Sequence, residues 1–368
     1  MPSHKYKFSA KKEKEFFRVL NSKIHEYFKS NNIDKFGGKT IVFKSIFMIA
    51  LYFVPLILLL SGTITSIWAF FAVWIIMGLG KAGIGMGVMH DANHGSFSRS
   101  KKVNNYLSYT MNLIGANSKI WKIQHNYLHH TYTNIDGSDE DILAPALLRF
   151  SPYQKKHPIH KFQHIYVWFM YSLTTLNWVL VRNFAQAFKF RKMQIIKSNK
   201  ELTKDITNIS LWKLLYFGYI IGLPILLTPF PPLLIIAGFV TMHLITGLIL
   251  STIFQTAHVM PSTDFPAPNE QRFIDNNWFV HQMETTTNFG SKSRLFAWLI
   301  GGLDHQVEHH LFQNISHVHY RKISEITSTI ARKYSIPYNT EKNFFSAVKS
   351  HALMLKKLGR MEELKTQG

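Results

Sequence analysis

"SIFMIALYFVPLILLL", residues 45 to 60, contains no charged side chain, and its reading decides the fold. A soluble helix of this length keeps a polar stripe for water; this one has none, so it reads as a membrane span rather than a core element. Working outward, "SIWAFFAVWIIMGLG" at 66 to 80 follows a short "SGTIT" and continues with one lysine to His90. A second pair comes much later: "LWKLLYFGYIIGLPILLTPF" at 211 to 230, then "PPLLIIAGFVTMHLITGLILSTIF" at 231 to 254. Each block approaches the roughly 20 residues that cross about 30 Å of hydrocarbon. The expectation is an all-α integral membrane protein with four transmembrane helices in two hairpins, over about 45–60, 66–89, 211–229 and 232–257. Residues 103 to 117 and 165 to 181 are expected to lie in the interface plane or to insert partly.

Charge orients these spans. Lys and Arg number 42 against 21 Asp and Glu, a net +21. The excess sits in residues 1–44, a basic N-terminal arm without a signal peptide, in the segment between the hairpins, and in the tail at 331–368. The hairpin tips "SGTIT" and "TPFPP" hold no Lys or Arg. By the positive-inside rule both termini and the middle segment are cytoplasmic. Attraction to anionic membrane lipid accounts for the net charge, and no nucleic-acid motif accompanies it, so nucleic acid is not expected as a partner. The absence of cysteine excludes thiolate haem, cysteine-bound iron–sulfur clusters and disulfides within this sequence.

With this topology the histidines gather on one side. "HDANH" (His90, His94) follows the second span, "HNYLHH" (His125, His129, His130) lies some thirty residues on, His258 in "FQTAHV" ends the fourth span, and "DHQVEHHLF" supplies Gln306, His309 and His310. Four spans are an even number, so all these clusters reach the same face. Read as an α-helix, His125 and His129 share one side and His130 lies about 100° further round, so all three rings can point into one cavity. Eight histidines are too many for one ion, and two metal ions fit better. Neutral imidazole suits iron, copper, nickel and zinc alike, so ligand type alone does not choose the metal.

The set "HDANH", "HNYLHH" and "QVEHH" resembles the three histidine boxes of the membrane fatty acid desaturases, and the glutamine opening the third box resembles the front-end branch of that family. The resemblance covers roughly residues 45 to 330, the expected desaturase domain. It implies a cytoplasmic helical cap holding a non-haem di-iron site, two iron ions bound by His90, His94, His125, His129, His130, His309 and His310, with Gln306 in place of a first-position histidine. One more histidine is expected from between the fourth span and the third box: His258 is the first choice and His281, in "NWFVHQMETTTN", the second. The implied reaction inserts a cis double bond into an acyl chain, carried on coenzyme A, an acyl carrier protein or a lipid, with dioxygen as co-substrate. Front-end members typically carry a fused cytochrome b5 domain with an "HPGG" motif, which this sequence lacks. A separate donor, ferredoxin or cytochrome b5 with its reductase, is therefore expected. A hydroxylase or ketolase on the same scaffold is the nearest alternative; a metal transporter or haem carrier is a more distant one, because transporter ligands belong near the bilayer midplane.

Residues near the boxes complete the reading. Asp91, Asn93, Asp136, Asp139, Asp141 and Glu308 are candidates to orient metal-bound imidazoles through the second ring nitrogen. The loop "NIDGSDED", 134 to 141, lacks the twelve-residue calcium pattern. His243 is mid-span, about 22 Å of helix from His258, and is expected to line a tunnel or link helices. His317 and His319 are expected to pack or hydrogen-bond, and Lys81 to snorkel toward the cytoplasmic surface.

Overall fold

The computed structural model describes residues 6–9, 13–143, 146–290 and 293–364. Helix predominates among them, and Lys7–Phe8 pairs in parallel with Phe273–Ile274 as a short two-stranded ribbon. The chain divides into two compact units, one made of Gly38–Trp121 and Trp168–Ser251, the other of Met1–Gly37, Lys122–Val167 and Thr252–Gly368.

Four long apolar helices, Gly38–Leu60, Ile67–His94, Asn199–Leu227 and Pro232–His258, contain 23, 28, 29 and 27 residues. At 1.5 Å per residue the shortest is about 35 Å long, enough to cross a bilayer, and the protein is a membrane protein on this ground. Large apolar side chains stand bare on these helices, among them Phe43 at 67%, Leu226 at 78% and Leu233 at 81% exposure. Such surface is stable against lipid and unstable against water. The helices begin earlier than the apolar blocks suggest, at Gly38 rather than 45 and at Asn199 rather than 211. Ser198 explains the second case, since its hydroxyl accepts from the Glu201 N–H at 3.1 Å and caps the helix. Apolar composition marks the hydrocarbon layer, whereas capping marks the helix end.

Small residues bring helices of the first unit together. A Cβ at Gly80 would stand 2.6 Å from the Tyr52 nitrogen, so the first two long helices touch backbone to backbone there. A Cβ at Gly78 would meet the Met242 carbonyl at 2.9 Å, which brings the second helix against the fourth in the same way. Lys81, one residue on from Gly80, does not snorkel: it is buried and hydrogen-bonds to Tyr216 and His243 on neighbouring helices. Acceptors in reach inside the unit replace the water it would otherwise seek. His243 thus links helices, bonding Tyr216 and Thr175 as well.

The other unit has its own core. Phe16, Leu20 and Ile24 of the helix Lys14–Ser30 pack with Ile323, Ile330 and Ala331 of Tyr320–Lys333 and with Val307 and Leu311. Residues 14–30 of the basic arm are therefore a packed helix. The last helix among the described residues, Phe344–Leu358, is likewise fastened. The Arg149 guanidinium, fully buried, donates to the carbonyls of Leu358 (2.6 Å), Met361 (2.8 Å), Pro152 (2.7 Å) and Gln154 (2.8 Å). Each buried carbonyl left without a donor costs about 1–3 kcal/mol, so one side chain holds the C-terminal segment.

Candidate metal centre

The second box owes its geometry to an unusual helix. Lys122–His129 is wound as a π-helix, hydrogen-bonded from i to i+5, before His130–Tyr132 resumes the α form. In the wider turn, residues four and five positions along straddle the same line, so His125, His129 and His130 share one side. His130 Nε2 lies 3.2 Å from His125 Nε2. The three rings converge as the spacing suggests, but the stretch is wound as a π-helix rather than the α-helix expected.

The third box, in the helix Gln306–Leu311, meets the second: the ring centroids of His309 and His310 are 4.6 and 4.3 Å from that of His130. His258, the last residue of its long helix, has its ring 4.7 Å from His129 and 4.9 Å from His310. Ligand atoms of His129, His258 and His310 lie within 4.8 Å of one another, as do those of His130, His309 and His310, and those of His125, His129 and Asp141. His281 stands outside these groups, its ring 5.1 Å from that of Phe8, and burial pushes its imidazole down to about 3. In the other unit His90 and His94 stand 4.7 Å apart, each ring 5.8 Å from the Trp121 ring. A π-helical segment, Ile84–Val88, immediately precedes this pair and shifts the register of everything after it.

Partners on the far side of each ring aim the near nitrogen. His129 Nδ1 lies 3.0 Å from both Asp139 oxygens, and His125 Nδ1 3.0 Å from Asp141. His310 Nδ1 donates to Gln282 Oε1 at 2.6 Å, His258 Nδ1 to the Thr285 carbonyl at 3.3 Å, and His309 Nδ1 lies 3.3 Å from the Tyr320 hydroxyl. The acidic loop is itself fixed, because Asp139 also accepts from the backbone N–H groups of Asn134 and Asp141, both at 2.8 Å. Burial opposes charge on His129, but Asp139 and Asp141 outweigh it, and its imidazole sits above the usual histidine value. Burial likewise raises Asp141, yet the His125 hydrogen bond and the His129 charge prevail and hold its carboxyl below the usual range.

The donor set fits a metal. With Nδ1 occupied, the Nε2 atoms of His129 and His258 are buried without a hydrogen-bond partner, as is Gln306 Oε1. Buried, unpaired polar atoms are costly, and a cation shared by imidazole nitrogens satisfies them. Of the expected orienting residues, Asp139 and Asp141 bond box histidines. Glu308 bonds Asn288 and Tyr338 instead, at 2.8 and 3.0 Å. His319 bonds the Phe36 carbonyl, and neither it nor His317 joins the cluster. Gln282 and Tyr320 were not legible from sequence. The only signal for Gln282 was a polar residue beside His281 in a mostly apolar stretch. Asp139→Asn is expected to weaken metal binding about 10- to 100-fold with the helices intact. Metal titration of the purified protein checks this, and unchanged affinity would show that the Asp139 contact does not tune the site.

Helices long and apolar enough to cross a bilayer, together with clusters of buried imidazoles of which His125, His129, His258, His309 and His310 are backed by a carboxylate, amide, hydroxyl or carbonyl, define a membrane protein with histidine clusters that could hold metal. The model of the family described as fatty acid desaturase matches residues 66–342. Over 372 residues the chain is 32% identical to the sn-1 linoleoyl-lipid 6-desaturase of Synechocystis sp., covering 98% of this chain and 99% of the relative. It is 32% identical to the acyl-lipid (8-3)-desaturase of Physcomitrium patens, over 95% of this chain and 72% of that one. A further relative, the sn-1 linoleoyl-lipid 6-desaturase of Arthrospira platensis, is 29% identical over 95% of this chain and 94% of its own length. The chain belongs to the fatty acid desaturase family and is an oxygen-dependent membrane fatty acyl desaturase. The hydroxylase, ketolase and transporter readings give way to it.

Proposed function

We propose that the chain inserts a cis double bond into an acyl chain of a membrane lipid, one that already carries unsaturation, at a centre of two iron ions held by His90, His94, His125, His129, His130, His258, His309 and His310, with Gln306 beside them. The observation that carries this reading is the grouping of imidazoles around shared positions, with their outer nitrogens tied to Asp139, Asp141, Gln282, Thr285 and Tyr320. The lipid-bound, unsaturated substrate is supported by the names of the relatives, two of them linoleoyl-lipid and one an acyl-lipid desaturase.

A methylene of an acyl chain has no acidic proton, so no base can begin this reaction, and the chemistry such a centre supplies when loaded is oxidation by dioxygen. The protein's residues do the rest. Asp139 and Asp141 keep His129 and His125 protonated at Nδ1, leaving Nε2 as the ligand atom. Gln282 does the same for His310 through an amide oxygen. Apolar helices keep water from the acyl chain and so protect the oxidising centre from side reactions.

The spans form two hairpins, with the histidine-rich unit and both termini cytoplasmic. The support is the absence of Lys and Arg at both tips, against a net +21 for the chain. Reporters fused to either end are expected on the cytoplasmic side; a translocated C-terminus would refute this topology. The activity itself is tested by expressing the gene in a host whose lipids contain linoleoyl chains but no trienes. New trienoic chains in the intact lipids are expected. Products confined to coenzyme A esters would overturn the lipid substrate, and no new double bond at all would overturn the proposal.

A further inference from the structure

We infer that Lys81 is a specificity-determining residue that senses cis double bonds already present in the acyl substrate, its amine meeting their π electrons at the end of an apolar pocket. This rests on the acyl-lipid reading above and adds to it the residue that distinguishes an unsaturated chain from a saturated one.

The pocket lies within the first unit, among Lys81, Gly85, Met89, Gly115, Thr175 and Trp178. It follows the second long helix from Met89, which precedes His90, down to Lys81 eight residues earlier, about 12 Å at 1.5 Å per residue. On this inference a chain whose reacting methylenes are near His90 extends toward Lys81 with its methyl-side portion, where double bonds already present lie. Gly115 and Gly85 let Tyr216 and Leu250 pack close, since a Cβ would stand 2.8 and 3.4 Å from them, and Met89 and Trp178 line the pocket.

Lys81 is out of place in such a pocket unless it meets something there. Only 3% of its surface is exposed. Its Nζ donates to the Tyr216 hydroxyl at 3.0 Å and lies 3.0 Å from His243 Nε2, and no carboxylate is paired with it among the described residues. A protonated amine carries three donors, of which these two neutral partners would take two. An ionisable side chain inside a bilayer without a counter-ion marks a functional site by default. Tyr216 and His243, themselves bonded at 2.9 Å, hold the amine against the pocket so that it cannot retreat to the surface. The amine already lies 5.0 Å from the Tyr216 ring centroid, a cation–π contact. A saturated chain gives the remaining N–H nothing, whereas a cis double bond gives it π density as an aromatic face does.

The test is a competition between stearoyl, oleoyl and linoleoyl chains on the same lipid headgroup, using purified protein with a reducing system. Lys81→Met is expected to lower the preference for linoleoyl over oleoyl about tenfold, which is about 1.4 kcal/mol, while oleoyl turnover persists. Lys81→Arg, which keeps a cation, is expected to retain most of the preference. An unchanged ratio in Lys81→Met, or an equal loss on every substrate, overturns the inference. Should Lys81→Met fail to accumulate, Tyr216→Phe removes one of the two groups holding the amine and is expected to lower the same ratio; an unchanged ratio again overturns it. Wild-type protein that desaturates none of the three chains points instead to failure of the lipid desaturase reading.

Discussion

Replacing His129 with alanine is expected to reduce turnover more than 100-fold and to lower the iron bound per chain. His129 is the residue most deeply tied into the cluster: it belongs to the group with His258 and His310 and to the group with His125 and Asp141. Both it and its partner Asp139 are fully buried. Loss of an orienting partner alone costs about 10- to 100-fold at metal sites, and loss of the ligand itself costs more. The variant also leaves Asp139 buried without its imidazole, so some loss of stability accompanies the loss of metal. His309→Ala separates the two effects, because the outer partner of His309 is the neutral Tyr320 hydroxyl. Both variants are expected to elute in detergent as the wild type does, since the core built on Phe16, Leu20 and Ile323 is apolar and removing one imidazole leaves its packing in place. Metal analysis of the wild type should give close to two irons per chain. Full activity in a preparation loaded only with zinc would refute an iron centre.

The second large effect concerns electrons. Reducing dioxygen to two waters takes four electrons; forming one double bond releases two, and the other two must come from a reductant. The 368-residue sequence holds no nicotinamide or flavin fingerprint and no cysteine. With oxygen and lipid alone, purified protein is therefore expected to show no sustained turnover. Adding ferredoxin, or cytochrome b5, with its reductase and a nicotinamide should start it. The net +21 favours an acidic face on the donor, so under limiting donor the rate should fall as salt is raised. Multiple turnovers without any added reductant would contradict this scheme.

Much was legible in the sequence because the two strongest signals are local. A run of apolar residues without a polar stripe reports the solvent around a helix, and it placed four spans that coincide with the four long helices to within two residues at their apolar ends. Histidines at i, i+4 and i+5 report a shared purpose through their spacing alone. Asp139 and Asp141 were readable as partners because they stand within a few residues of the second box, whereas Asp136, equally near, turns to Gln154 and Ser151. Helix starts at Gly38 and Asn199 were not, since polar residues continue a helix beyond the hydrocarbon without altering apolar periodicity. Nor was the packing of residues 14–30 and 344–358, which composition presents as basic arm and tail while their apolar faces are covered.

Sequence by itself determined that this is a membrane protein with histidine boxes, because hydropathy and residue type act over one or two turns of chain. Tertiary structure decided the rest. It wound 122–129 as a π-helix, turning His130 beside His125, and it set His258 rather than His281 next to His129 and His310. It chose Gln282 and Tyr320 as outer partners, and it held Lys81 inward on Tyr216 and His243. Each of these depends on hydrogen bonds or contacts between residues from 5 to more than 150 apart in the chain, as with Lys81 and His243, 162 positions apart. A helix's periodicity cannot encode such distances, and only packing brings those groups within about 3 Å.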